Sequence, residues 1–219
     1  MLPACSFSAR LLAAGLLVLP ALGARAQLRV VPLAPAAVPA ALPRTGRVVQ
    51  ALRYTDRTGT YTVLATQTGP GPDPAASSGD DARRADLYAT QYPAGRPAPS
   101  WQVHDFVADC PLDLQADFRP RGLSVTDLDQ NGTAEVWLVY RTGCRGDVSP
   151  STQKIIMYEG RRKYAVRGTS RIAVGSYVEG GTYTLDAAWQ AAPATFRQHA
   201  ARLWRQHQAE TLGADPPGK

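Results

Sequence analysis

The 219-residue chain carries 24 Lys and Arg against 18 Asp and Glu, a formal net charge of +6, with 44% hydrophobic residues and three cysteines. That apolar content suffices for one buried core and excludes a wholly disordered chain. The basic residues are scattered and form no stripe, so nucleic acid is excluded as the working partner class.

Residues 1–26 read as a cleavable secretory signal peptide. Arg10 charges its start, residues 11–22 form the apolar run, and Ala24-Arg25-Ala26 supplies the small residues before a cut ahead of Gln27. The run is too short to span roughly 30 Å of hydrocarbon comfortably. Cys5 precedes it, which argues against a lipoprotein. Cleavage would remove Arg10, Arg25 and no acid, lowering the charge by two. No later segment has the length of a membrane span, so the mature chain is expected to have none and to be periplasmic or extracellular, at the cell surface.

Residues 27–45 are Pro/Ala-rich and read as a tether or weakly ordered arm. Strands are predicted over 47–54 and 60–66, around a turn at 55–59. Residues 67–82 read as a disordered loop that buries nothing. Further strands are predicted over 85–91, 101–107, 122–126 and 135–140. Residues 154–159 and 163–168 flank the hairpin signal Gly160-Arg161, and 171–177 adds a further candidate. Only the end reads as helix, over about 193–211, where Phe196, Ala200, Leu203 and Trp204 share one stripe and Pro193 suits the first turn. Residues 213–219 are expected as a disordered tail. The predicted fold class is mostly β (α+β minor), a single antiparallel β domain over 46–212 with about eight strands and one C-terminal helix.

With Cys5 in the signal segment, Cys110 and Cys144 remain, and in an exported chain they are expected to pair. A redox or metal role would want a CxxC spacing or nearby His, and neither is present.

The sharpest local motif is Asp127-Leu-Asp129-Gln-Asn131-Gly132-Thr-Ala-Glu135. Oxygen-bearing residues at positions one, three, five and nine of a tight loop, with Gly at six, suit a hard cation. Asp127, Asp129, Asn131 and Glu135 would ligate by side chain and Thr133 by its carbonyl. Leu138 stands where an EF-hand needs its bidentate Glu, and no helix follows. The strand–loop–strand setting resembles the calcium loops of FG-GAP and VCBS-type repeats. A single, partly exposed site of this kind is expected to hold a structural Ca2+ with a dissociation constant on the order of 10⁻⁴–10⁻³ M. The same Asn131-Gly132 pair also makes a good metal-free hairpin turn, and both readings stand on the sequence.

The segment from Trp101 through the cysteines, Cys144-Arg-Gly-Asp-Val-Ser-Pro150, Lys154-Ile-Ile-Met-Tyr158 and Tyr164-Ala-Val-Arg-Gly168 resembles a family of small exported Bacteroidetes proteins. That family is labelled as surface polysaccharide biosynthesis proteins. The resemblance covers residues 100–170 best and implies an envelope role without catalytic residues to carry over. The disulfide is expected to tie neighbouring strands and to gather Trp101, Asp105, Asp109, Asp113, Arg141, Arg145 and Asp147 at one end as a binding surface.

The function expected is a non-catalytic exported envelope protein that binds or assembles with envelope polysaccharide or an envelope protein. The alternative is a carbohydrate-active hydrolase or transferase using carboxylates around Asp105–Asp113. His104 and Asp105 are adjacent in a strand and point to opposite faces. His199 and His207 lie off the helical stripe, where exposure is expected. No nucleophile elbow, phosphate loop or HExxH is present. Arg145-Gly146-Asp147 is explained by the turn after Cys144. Trp137 and Trp204 are expected in the core, with Trp101 and Trp189 at element edges.

Overall fold

The computed structural model describes residues 27–211. The expected signal segment 1–26 and tail 213–219 lie outside the described residues. Six strands make the first antiparallel sheet: β1 (Arg29–Pro32), β2 (Arg47–Asp56), β3 (Gly59–Gln67), β4 (Gly71–Pro72), β5 (Arg83–Pro93) and β6 (Trp101–Cys110). They run in the order β1-β2-β3-β5, with β4 and β6 both paired to β5. The second sheet contains β7 (Asp113–Phe118), β8 (Ser124–Thr126), β9 (Glu135–Arg145), β10 (Thr152–Glu159) and β11 (Arg162–Thr169). After the small hairpin β12 (Arg171–Val174) and β13 (Tyr177–Gly180), β14 (Tyr183–Leu185) pairs with β11 and completes that sheet. Helix α1 (Ala194–His207) follows, and β15 (Ala209–Glu210) ends the described chain by pairing in parallel with β12.

Alternation along the strands sorts side chains into layers, because successive residues face opposite sides of a sheet. Leu52, Tyr54, Val63, Leu87 and Trp101 of the first sheet meet Val136, Leu138, Tyr140, Ile156 and Tyr158 of the second in the central core. The outer face of the second sheet presents Trp137, Val139, Ile155, Met157 and Tyr164 to Phe196, Ala200, Leu203 and Trp204 of α1. Strand β9 is therefore buried on both faces, which explains why its 136–140 stretch is continuously apolar. The mostly-β expectation with one C-terminal helix holds.

Several expected details change. The 27–45 arm is not a tether. Its strand β1 pairs with β2 from Arg29↔Thr55 to Pro32↔Leu52, and Leu33, Val38 and Leu42 cover the outer face of the first sheet. The 67–82 loop does bury residues. Asp73 and Ala82 are 9% and 2% exposed, and β4 lies within it. Residues 113–118 form a strand that went unpredicted, with Ala116 and Phe118 turned inward. The helix ends at His207, and Pro193 occupies its N-cap position.

The disulfide Cys110–Cys144 forms, with Cα atoms 5.7 Å apart. It does not join neighbouring strands. Cys110 ends β6 in the first sheet and Cys144 lies in β9 of the second, so the bond clamps the two layers together.

Candidate metal and ligand site

The 127–135 loop joins β8 to β9, which pair from Thr126↔Glu135. Its path needs two left-handed residues, Gln130 at φ 58° and Gly132 at φ 81°. A Cβ at Gly132 would also stand 3.2 Å from the Arg57 side chain, so glycine is favoured on both counts. Asp127 accepts from the Gly132 N–H at 3.2 Å, Asp129 from the Asn131 N–H at 3.1 Å, and Asn131 Oδ1 from the Thr133 N–H at 2.7 Å. Short polar side chains thus close the turn onto its own backbone.

Carboxylate oxygens of Asp127, Asp129 and Glu135 converge within 4.8 Å of one another, at the first, third and ninth positions of the motif. Glu135 is fully buried. It accepts from Thr126 Oγ1 at 2.5 Å and from the Leu128 N–H at 3.0 Å. Burial, with the charges of Asp129 and Asp127, outweighs those bonds and leaves the Glu135 carboxyl pushed up to about 7. This donor set fits a hard cation, since three crowded carboxylates gain most from a divalent charge between them. Asn131 fits less directly. Its amide nitrogen faces Asp129 at 2.9 Å and Glu159 at 2.6 Å, so ligation would turn the amide over. Thr133 has its hydroxyl 3.4 Å from Arg57 Nη2.

The loop is docked on the β2–β3 turn. Asp56 holds that turn with one oxygen, accepting from the Thr58 and Gly59 N–H groups at 2.7 and 3.1 Å. Its other oxygen accepts from Ala134 N–H at 2.9 Å, across to the second sheet. The Arg57 N–H donates to the Gly132 carbonyl at 2.9 Å. Clefts open on both sides of this contact. One, of about 800 Å³, is lined by Gln27, Leu28, Arg57, Asp127, Gln130 and Asn131. The other, of about 350 Å³, lies between Tyr54, Tyr61, Gln91, Arg96, Thr133 and Arg161. No sequence signal marked this second cleft, because its walls come from four separate stretches.

The binding surface expected beside the cysteines does not assemble. Asp105 accepts from Lys154 Nζ at 2.5 Å and Tyr140 OH at 2.9 Å. Asp109 accepts from the hydroxyls and N–H groups of Ser77 and Ser78, which hold its carboxyl well below the usual range. Arg141 is 1% exposed and donates to Gln153 Oε1 at 3.1 Å and to the carbonyls of Ala209 and His207. Burial pushes its guanidinium down to about 10. Arg145 binds Glu210 at 2.8 Å, Asp147 caps Ser149, and Asp113 is exposed, opposite Arg145 in the β7–β9 pairing. Trp101 sits at the far end of β6, buried and stacked on Tyr158 at 4.4 Å. Intramolecular bonds therefore occupy most of these groups, and the carboxylates of the hydrolase alternative meet as no pair.

Sequence reasoning also missed Glu210. Burial raises its carboxyl, but Ser151, Ser170 and Arg145 overcome that and hold it at about 2. The helix histidines are not surface groups. His199 packs on Trp137 with ring centroids 4.6 Å apart, and burial and Arg202 push it down to about 4. His207 is 8% exposed, and Trp189 is buried with the other three tryptophans.

Comparison with family models, with curated proteins and with solved structures returns no match. Among the described residues, no helix is long and apolar enough to cross a membrane.

Proposed function

We propose that this is an exported envelope protein that binds surface polysaccharide, with a structural Ca2+ at Asp127, Asp129 and Glu135, and that it works by binding without turnover. The observation that carries this reading is the pair of clefts flanking the 127–135 loop at one end of the two-sheet core. A cation there would brace the wall that the clefts share, because the same loop lines both. The inter-sheet disulfide supports residence in an oxidising compartment. Asp105 and Asp109, the leading candidates for hydrolysis, are held by Lys154, Tyr140, Ser77 and Ser78, which favours binding over cleavage.

The test is a glycan array probed with the exported chain in calcium, with the bound glycans then assayed for cleavage products. Retention of surface polysaccharides without turnover supports the reading. A blank array, or turnover that vanishes in Asp105→Asn, overturns it.

A further inference from the structure

The cleft of about 350 Å³ has a lining whose charges are unevenly spent. Asp56 is its one acid. Both Asp56 oxygens are taken up by the N–H groups of Thr58, Gly59 and Ala134. Its two cations, Arg96 and Arg161, are exposed, and among the described residues neither guanidinium has a hydrogen bond or an ion pair. Gln91 is 3% exposed and lines the same space. Its Oε1 accepts from Tyr54 OH at 2.8 Å, while its amide nitrogen has no partner among the described residues. That nitrogen is not sealed from solvent, so its N–H groups are open to an acceptor in the cleft. Tyr61, half-buried and stacked on Tyr54 at 5.1 Å, adds an aromatic wall, and Ser100 adds a hydroxyl.

Resting on the polysaccharide reading above, we propose that this cleft binds an acidic sugar unit, a hexuronate residue of a glycan chain. Its carboxylate would lie between Arg96 and Arg161, its ring against Tyr61, and a ring hydroxyl would accept from Gln91. Guanidinium pairs suit planar carboxylates because their N–H groups form a matching fork. Aromatic rings suit the C–H face of a pyranose. The volume lies in the range of small-molecule sites and matches one ring better than a long segment.

The experiment is calorimetric titration of the exported chain with trigalacturonate, with the uncharged maltotriose and with sodium sulfate. Trigalacturonate is expected to bind, maltotriose at least roughly tenfold more weakly, and Arg96→Ala or Arg161→Ala to weaken trigalacturonate by roughly tenfold each. Both arginines lack intramolecular partners, so the variants should melt as the parent does. Arg161→Glu, which reverses the charge, should abolish uronate binding. Equal affinity for maltotriose, uronate binding unchanged in both alanine variants, or sulfate as strong a ligand as the uronate would each overturn the assignment. Array binding of neutral glycans by a protein that gives no heat with trigalacturonate would sink this site alone. A blank array would sink the polysaccharide reading with it.

Discussion

Asn131 donates its amide nitrogen to the Glu159 carboxylate at 2.6 Å, tying the 127–135 loop to the hairpin that carries Arg161. Residues 28 apart in the chain are thus joined beside the cleft that Arg161 lines.

Calcium is expected to bind with a dissociation constant on the order of 10⁻⁴–10⁻³ M. Calcium at about 10 mM would then stabilise the fold by about 1.4 kcal/mol or more by mass action. That raises the melting temperature by roughly 3 °C for a chain of this size. Scanning calorimetry with and without calcium measures it, and Asp129→Ala should remove both the shift and the heat of binding. A parent protein that gives neither would sink the site.

The affinity should depend on pH with a definite sign. Burial raises the Glu135 carboxyl to about 7, and a cation needs it ionised. Calcium binding should therefore tighten by roughly tenfold between about pH 6 and about pH 8. Without the ion the linkage runs the other way. A raised carboxyl contributes stability below its unfolded value, and that contribution fades as pH rises through about 7. Titrations at both pH values, repeated on Glu135→Gln, check this. A flat affinity profile in the parent would refute it.

Glu210 has the opposite sign. Its carboxyl is held at about 2, so its contribution is complete above the ordinary glutamate value and is lost as pH falls toward about 2. Glu210→Gln leaves Arg145 and the buried Arg141 without their carboxylate, and should cost about 3 kcal/mol at neutral pH. Urea unfolding should show this gap narrowing in acid. A gap independent of pH would mean that packing, and not charge, sets it.

Replacing Cys110 and Cys144 together by alanine should cost roughly 3–4 kcal/mol, the loop-closure entropy that the bond removes from the unfolded chain. Calcium affinity should stay the same. Strand β9 runs from Glu135 to Arg145, which places the bond roughly 30 Å from the loop. Weaker calcium binding in this variant would show that the two ends are coupled.

Local chemistry was legible where neighbours in sequence are also neighbours in space. The turns at 56–59 and 160–161, the apolar strand 136–140 and the stripe Phe196, Ala200, Leu203, Trp204 each follow from adjacent residues, and all are present. The strand 113–118 was missed because Asp113 and Asp117 mask an inward alternation of Ala116 and Phe118. The binding surface was misplaced for a different reason. Asp105, Asp109, Arg141 and Arg145 look free in sequence, but Lys154, Ser78, the Ala209 carbonyl and Glu210 reach them from 31 to 68 residues away.

The sequence by itself determined the class of fold, the pairing of two cysteines and the spacing of the acidic loop, because periodicity and short-range polar contacts decide these. Only the tertiary structure decided that the disulfide joins two sheets, that Glu210 is a buried anion and that Gln91, Arg96 and Arg161 face one cleft. Those outcomes depend on which distant strands stack against each other. That choice is made by burying Trp101 against Tyr158 and Asp56 against Ala134, contacts that no local pattern announces.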